Sequence, residues 1–267
     1  MENLVLVKLG GSLITDKNKP FSAKERTIRR LGREIKKAIN KFEGKIVIGH
    51  GSGSFGHIVA ARYRTQDGII NRESKKGLSL VADAAIQINR IMIKNFLAIG
   101  LPVFSFAPAS FVVAKAQELE RFFLAPIEQA LFLNLIPVIY GDVILDSKSG
   151  CCIFSSERIL GILARNLISK FNVLRVVHCG NTDGVYDEKG RSIPVITEQS
   201  FMKFRKAIKA SRATDVTGGM LHKVEESLDL ASTIGVENII INGSSPGQLF
   251  SALLGRKTVG TVIRPPR

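Results

Sequence analysis

The stretch Gly49-His50-Gly51-Ser52-Gly53-Ser54-Phe55-Gly56-His57 decides the fold class of this chain of 267 residues. It directly follows Ile46-Val47-Ile48, a β-branched apolar run typical of a strand buried on both faces of a parallel sheet. Four glycines within eight residues let the backbone turn sharply and approach a ligand closely. Residues 58–61 can then begin a helix, and a glycine-rich turn before a helix N-terminus favours an anion. We therefore expect His57 in the first helical turn, able to donate a hydrogen bond to a phosphate.

Strands and helices alternate along the chain, which predicts an α/β protein with an open, mainly parallel sheet sandwiched by helices. The predicted strands are 4–9, 45–48, 103–106, 136–140, 173–178, 238–242 and 259–263, with a β-ribbon at 143–154. The predicted helices are 24–42, 74–98, 121–133, 157–171 and 248–254, with a further helix that ends at 234. The glycine-rich turns follow strand ends, where ligands bind in such sheets.

The formal charge of +15 fits a protein that binds nucleic acid or one that handles small anions. The densest group of Lys and Arg, on 24–45, is interleaved with apolar residues at helical spacing, as on a solvated helix face. Aromatic residues for base stacking are scarce, with no Trp and three Tyr. We therefore expect small anionic ligands and no nucleic-acid partner.

Cysteine usage and hydropathy predict a reduced, cytoplasmic protein. The three cysteines are odd in number and lack metal-ligand spacing, so we expect no metal held by protein ligands. The longest weakly charged stretch, 122–143, is interrupted by Glu128 and two prolines, which favours a helix followed by a strand over a membrane span. We expect the remaining histidines, and one cysteine at a strand end, to be structural or exposed: His50, His178, His222 and Cys179.

Three separate elements combine glycines with a cationic side chain: Lys8–Ser12, Gly51–His57 and Thr217–Lys223. One such element also fits an ordinary turn, but three in one α/β domain favour transfer of a phosphoryl group between two anionic ligands. That reaction needs positioning and charge stabilisation, with little need for a covalent nucleophile. Lys8 precedes its glycines, so the element is not a Walker A loop. We expect a hairpin or lid at 13–20 to carry Lys17 over the site.

With these motifs the sequence resembles the isopentenyl phosphate kinases, a family within the amino acid kinase superfamily. Lys8–Lys17 looks like that family's opening motif, and His50–His57 is similar to its His-Gly-Gly-Gly-Ser-Phe-Gly-His loop. The last histidine separates this family from relatives that phosphorylate acetylglutamate, aspartate, carbamate or a nucleoside monophosphate. Ile136–Val143, Asp215–Lys223 and Gly260–Arg264 also look like family segments, in the family's order. The resemblance implies an αβα fold that transfers the γ-phosphate of ATP to isopentenyl phosphate, with Mg²⁺ bridging phosphate oxygens.

The resemblance also implies a role for each matching residue. Lys8 and Lys17 would stabilise the phosphoryl group in flight. The nucleotide would be contacted by Lys8, Gly10, Gly11, Ser12, Ser52, Asp183, Gly219 and Lys223. The phosphate of isopentenyl phosphate would be held by Gly51, Gly53, Gly56 and His57, with Gly141 and Asp142 lining the same pocket. The apolar tail of this acceptor would lie against the helix at 74–98 and the segment 104–111.

Residues 1–267 are expected to form a single amino acid kinase-like domain. Its acceptor-binding lobe would span roughly 1–170 and its nucleotide-binding lobe roughly 171–267. The resemblance suggests a homodimer, and neither a membrane nor a nucleic acid is expected as a partner.

Two departures from the family pattern leave alternatives open. Glu157-Arg158 stands where the family has two acidic residues, and Asn181 replaces another carboxylate. Ser52 stands at a loop position that is usually glycine, and serine tolerates a positive φ poorly. One alternative is a nucleotide-binding homologue with weak or no activity, and another is a kinase of a different small phosphate or phosphonate. Retention of Lys8, Lys17, His57 and Lys223 favours an active kinase, in which Glu157 is the candidate to take over the organising role of the missing acid.

Overall fold

The computed structural model describes residues 1–210 and 219–265, in which strands and helices alternate as predicted. The strands are β1 (Glu2–Leu9), β2 (Lys45–His50), β3 (Val103–Ser105), β4 (Val112–Lys115), β5 (Glu118–Phe122), β6 (Ile136–Tyr140), β7 (Asp142–Asp146), β8 (Gly150–Phe154), β9 (Phe171–Gly180), β10 (Val195–Ile196), β11 (Glu237–Asn242) and β12 (Gly260–Ile263). The helices are α1 (Gly11–Ile14), α2 (Glu25–Ile39), α3 (Gly56–Tyr63), α4 (Arg72–Ala98), α5 (Ala125–Phe132), α6 (Ser156–Leu167), α7 (Glu198–Ala210), α8 (Gly219–Ile234) and α9 (Gln248–Leu253).

The main sheet has eight strands in the order β10-β12-β11-β9-β1-β2-β6-β3. Every neighbouring pair is parallel except β11 with β12, which confirms the predicted open, mainly parallel sheet. β1 lies at its centre because both of its faces are apolar, and the residues from Leu4 to Val7 are fully buried. Strands of this kind belong in a sheet that is covered on both sides.

Helices cover both faces of the sheet and divide the core into two layers. Val5, Val7 and Leu9 of β1 face the layer that contains α2, α4 and α9. Leu4 and Leu6 face the opposite layer, which contains α5, α6 and α8. Successive side chains of a strand point to opposite faces, so this alternation also fixes the direction of Lys8. Lys8 belongs to the α6 face.

A second, four-stranded sheet has the order β5-β4-β7-β8. Its β7–β8 hairpin is the predicted ribbon, which turns through Gly150 at a φ of 83°. The predicted helix at 121–133 was wrong at its start, because Arg121 and Phe122 pair with Val113 and Val112 in the β4–β5 hairpin. The helix begins only at Ala125, with Pro126 in its first turn, where a proline is tolerated.

Other predicted bounds differ by a few residues. α2 ends at Ile39 rather than 42, and α6 ends at Leu167, because Phe171 already belongs to β9. α1 and α7 were not predicted. Among the residues that the structure describes, no helix is both long and apolar enough to cross a membrane.

Candidate active site

The centre of the site is an ion pair between the end of β1 and the start of α6. Lys8 Nζ lies 2.5 Å from Glu157 Oε1, and both side chains are almost completely buried. The register of the sheet produces this contact, because Lys8 aligns with Gly49 of β2 and with His178 of β9. Gly49 leaves room for α6, since a Cβ there would lie 2.8 Å from Leu160. The first turn of α6 therefore sits directly above the Lys8 side chain.

Glu157 gathers further cationic groups around it. Burial works against its ionisation, but the charges of Lys8 and Lys223 outweigh burial and hold the pKa of Glu157 well below its usual range. Lys223 comes from the first turn of α8, which begins at Gly219. Two of the three predicted glycine-plus-cation elements thus supply an ammonium group to the same carboxylate. Residues 215–218 of the predicted segment Asp215–Lys223 lie outside the described residues.

The first two glycine loops touch each other through their backbones. A Cβ on Gly11 would lie 2.6 Å from the amide nitrogen of Gly53, and one on Gly51 would lie 2.8 Å from the nitrogen of Gly11. Only glycine permits this approach, so the predicted convergence of the two loops is confirmed. Gly10 N donates to Cys179 O at 2.8 Å, which ties the same place to the end of β9.

The second loop presents unpaired backbone donors. Among the described residues, neither the amide of Ser52 nor that of Gly53 donates a hydrogen bond. Gly53, not Ser52, takes the positive φ of 51°. The expected strain at Ser52 is therefore absent, and its side chain instead packs against Gly56, where a Cβ would collide with it. Free amides in such a concave loop are suited to an anion.

His57 lies in the first turn of α3, as predicted. Its backbone N donates to Gly53 O at 3.3 Å, so the loop and the helix start are continuous. Desolvation of the ring, followed by the charges of Lys8 and Lys17, lowers the pKa of His57. Glu157 opposes this shift only in part, and the negative charge of an arriving phosphate would raise the pKa of His57 and favour its protonation.

The predicted hairpin over the site is also present. An antiparallel bridge joins Thr15 to Ala23, and the exposed Lys17 lies in the turn between them. Phe21 N donates to Ser54 O at 3.4 Å, and the Phe21 and Phe55 rings are 5.4 Å apart. The hairpin that carries Lys17 is therefore fastened to the second glycine loop.

Gly141 and Asp142 lie beside the start of α6. Gly141 N donates to His50 O at 3.0 Å, and a Cβ on Gly141 would lie 3.3 Å from Ser156 N. The Asp142 carboxylate is buried and accepts from the backbone amide of Val143, and the amide of Ala109 also lies near it. Burial raises its pKa to about 6. Asp142 therefore braces the wall of the site through its backbone partners.

The two departures from the family pattern have structural counterparts. Arg158 pairs with Glu118 at 2.5 Å, and its guanidinium lies 3.9 Å from the centroid of the Phe154 ring. Asp183 accepts from Asn242 Nδ2 at 2.9 Å, while Asn181 accepts from the Ser244 hydroxyl at 3.3 Å. Neither substituted side chain adds a charge next to Lys8.

His178 and Asn242 are the site-lining groups that sequence reasoning did not assign. His178 is buried beneath Glu157, where burial lowers its pKa to about 4. The prediction of structural or exposed histidines is confirmed, with His50 and His178 buried and His222 exposed. Cys179 is buried, as expected. Only the pairing of β9 with β1 could have pointed to His178, because its sequence context is that of any buried strand.

The family comparison agrees with this geometry. The model of the amino acid kinase family matches residues 3–242. The chain belongs to the amino acid kinase family. The chain is 33% identical over 269 residues to the isopentenyl phosphate kinase of Methanocaldococcus jannaschii, and the alignment covers 97% of this chain and 98% of that protein. It is 32% identical over 270 residues to the isopentenyl phosphate kinase of Methanothermobacter thermautotrophicus, with 97% and 98% covered.

Solved structures of the same kinase family share the fold. An isopentenyl phosphate kinase known from X-ray structures superimposes with a TM-score of 0.82 and 30% identity, covering 97% of this chain and all of that one. These similarities place the chain among the isopentenyl phosphate kinases of the amino acid kinase family, as the motifs predicted.

Proposed function

We propose that this protein transfers the γ-phosphate of ATP to isopentenyl phosphate and forms isopentenyl diphosphate. The observation that carries the proposal is the contact of Gly11 with Gly51 and Gly53, which brings two anion-binding loops to one point. Each loop suits one of the two anions. The Lys8 ammonium, held by Glu157 at that point, supplies positive charge where negative charge spreads during transfer.

On the nucleotide side, the β- and γ-phosphates lie against Gly10, Gly11 and Ser12. The amides of Gly11 and Ser12 open the short helix α1, while the amide of Gly10 is bonded to Cys179 O. Gly219 and Lys223 approach the phosphates from α8. Lys17 covers the transferred group from the hairpin. Asp183, oriented by Asn242, is the acidic residue on the nucleotide side.

On the acceptor side, the amides of Ser52 and Gly53 and the imidazole of His57 hold the phosphate. Ser52 is thus reassigned from the nucleotide to the acceptor, because its free amide belongs to the second loop. Gly51 and Gly56 allow the loop its close contacts, and Gly141 and Asp142 form the neighbouring wall. The apolar tail of the acceptor lies along a small separate cluster between α3, α4 and β7: Val59, Leu78, Val81 and Val143.

Mg²⁺ fits these residues as an ion held chiefly by phosphate oxygens and water. Within 1–210 and 219–265, no three His, Cys, Asp or Glu side chains are grouped to hold a metal ion. The Glu157 carboxylate is already engaged by Lys8. When bound, Mg²⁺ would neutralise charge on the β- and γ-phosphates, while the lysines orient them.

The proposal extends to the two lobes of the chain and to its assembly as a homodimer. Residues of roughly 1–170 carry the acceptor loop and roughly 171–267 carry Lys223 and Asp183. A location in the cytoplasm accords with the three free cysteines. A homodimer is favoured by three exposed apolar side chains near the edge strand β3, namely Ile86, Leu97 and Phe104. An uncovered edge strand with apolar neighbours is suited to pairing with a second copy. Sedimentation of Leu97→Asp would show monomers if this face forms the dimer.

The test is an assay of ATP-dependent phosphorylation with a panel of small monophosphates. We expect isopentenyl phosphate to give the highest kcat/KM, with ADP and isopentenyl diphosphate in equal amounts. A better substrate among other phosphates or phosphonates would identify a different acceptor. Nucleotide binding without turnover of any of them would instead mark the chain as an inactive homologue.

A further inference from the structure

His50 is a buried, titratable residue for which the proposed chemistry has no use. It ends β2, immediately before Gly51, and is completely buried. Its ring stacks on Tyr140 with centroids 5.6 Å apart and planes 23° apart. Both ring nitrogens have close neighbours: Nδ1 lies 3.2 Å from Gly51 O, and Nε2 lies 3.2 Å from the side-chain amide of Asn89.

The contacts continue beyond Asn89. This residue is 3% exposed in the middle of α4, and its amide lies 2.5 Å from the hydroxyl of Ser105 on β3. Three side chains from three elements therefore form one hydrogen-bonded chain, which ends on the carbonyl of Gly51. Buried polar groups that are joined in this way fix one another's orientation.

The protonation of His50 sets the direction of these bonds. Burial, assisted by the charge of Lys8, lowers its pKa, so the ring is neutral at pH 7 and has one N–H. A carbonyl can only accept, so the bond to Gly51 requires the proton on Nδ1. As placed, Asn89 Oδ1 faces Nε2 and Asn89 Nδ2 faces the Ser105 hydroxyl. With the proton on Nδ1, this amide must be turned by 180°, so that Nε2 accepts from its NH₂ and its oxygen accepts from the Ser105 hydroxyl. Amide N and O are interchangeable by rotation, and this arrangement satisfies every member of the chain.

We propose that His50 is a positioning residue that turns the Ser52 amide toward the acceptor phosphate. No peptide bond here is cis, so the Gly51 carbonyl and the Ser52 N–H point in opposite directions. A carbonyl held inward by His50 therefore directs the Ser52 N–H outward, where no acceptor from residues 1–210 or 219–265 meets it. The inference rests on the proposed function, because it assumes that this loop holds the acceptor.

Asn89→Ala tests the role, with Asn95→Ala as its matched control. Asn95 is also buried on α4, at 2% exposure, and its bonds go to Arg29 and Ile91 instead of the loop. We expect Asn89→Ala to raise the KM for isopentenyl phosphate about tenfold, because the hydrogen bond from the Ser52 amide to the phosphate is lost. The KM for ATP should be nearly unchanged. Asn95→Ala should lower the melting temperature similarly and leave both KM values unchanged. Equal acceptor KM values in the two variants would overturn the proposal.

A second measurement does not depend on turnover or on a variant that folds poorly. In ¹⁵N-histidine-labelled wild-type protein, with the signal assigned by its loss in His50→Gln, the neutral His50 ring should carry its proton on Nδ1. A proton on Nε2, or a doubly protonated ring at pH 7, would refute the proposal. If the wild-type protein phosphorylates no small phosphate while His50 has the expected tautomer, the proposed function fails and the positioning of the amide stands.

Discussion

At the end of β1, the Lys8 ammonium meets a carboxylate from the first turn of α6, 2.5 Å away. Arg158, the next residue of that helix, points to Glu118 instead. Successive helical residues are rotated by roughly 100°, so neighbours cannot share one target. Of these two residues, it is Glu157 that contacts Lys8, and we therefore expect it to supply the acidic function of the motif.

Glu157→Gln should reduce kcat about a hundredfold, the scale of losing one preorganised electrostatic group. Without the carboxylate, the ammonium groups of Lys8 and Lys223 repel each other and leave their positions. The matched control is Arg158→Ala, for which we expect kcat within about twofold of wild type. Steady-state kinetics of both variants check this. Similar losses in the two would show that Glu157 does not organise the lysines.

His57→Ala should affect the acceptor and spare the nucleotide. A hydrogen bond from a charged imidazole to a phosphate is worth about 1.5–3 kcal/mol, so the KM for isopentenyl phosphate should rise roughly tenfold to a hundredfold. Calorimetric titration should give an ATP affinity close to that of wild type. An unchanged acceptor KM would remove His57 from the phosphate site.

Individual residues were predictable where a strand end or helix start fixes them. Lys8 and His57 occupy such positions, and both lie where the motifs put them. His178 and Asn89 belong to a strand and a helix interior, and only the sheet register and the packing of α4 bring them near the loops. Their role depends on contacts between residues far apart in the chain, which a local pattern does not contain.

Among the elements, the hairpin and the two glycine loops are joined by one hydroxyl. Thr15 Oγ1 donates to Gly11 O at 2.8 Å and accepts from Ser54 N at 3.0 Å. Thr15 itself is fully buried. The side chain thus couples the element that carries Lys17 to both anion-binding loops.

Thr15→Val should lower the free energy of unfolding by about 1–3 kcal/mol, because the buried Ser54 amide loses its acceptor. Thr15→Ser keeps the hydroxyl and loses only a methyl group, about 0.8 kcal/mol. Urea unfolding followed by fluorescence or circular dichroism measures both. If the two variants lose the same stability, the hydroxyl does not hold the loops together.

Strands and helices with strong periodicity were predicted correctly, such as α4 and the β7–β8 hairpin. The β4–β5 hairpin was missed because Glu118–Phe122 carries too few apolar residues to mark a strand. β5 is stabilised as a strand by its pairing with β4 in the second sheet, despite its weak apolar pattern. Edge strands are determined by their partners more than by their own sequence.

For the whole molecule, two buried neutral histidines predict a loss of stability in acid. Asn238 donates to the carbonyls of Ser227 and Val236, so its oxygen faces Nε2 of His178 and fixes the proton there. Burial lowers the pKa of His178 to about 4 and also lowers that of His50. The unfolded chain binds these protons more readily, so stability is complete above about pH 6.5 and falls as the pH decreases toward 4.

His178 alone should contribute about 3 kcal/mol to this loss. His178→Gln removes the titrating group and keeps a donor for Asn238, so its unfolding free energy should fall less between pH 6.5 and 4. Urea unfolding at several pH values compares the two proteins. Parallel pH profiles would mean that His178 does not remain neutral in the folded state.

The sheet class and its mainly parallel direction followed from the alternation of elements, and the comparisons confirm the family. The order of the strands could not be predicted in this way, because it depends on which strands each helix connects across the sheet. That order puts β1 between β2 and β9, and so places Lys8 beside both glycine loops.

The central claim is that these loops hold two anions face to face for direct transfer. The most direct measurement is the affinity of a bisubstrate compound in which isopentenyl phosphate is joined to the terminal phosphate of ATP. We predict a Kd at least about a hundredfold below that of ATP, because one molecule fills both sites. A Kd no lower than that of ATP, with isopentenyl phosphate still binding by itself, would contradict the facing arrangement.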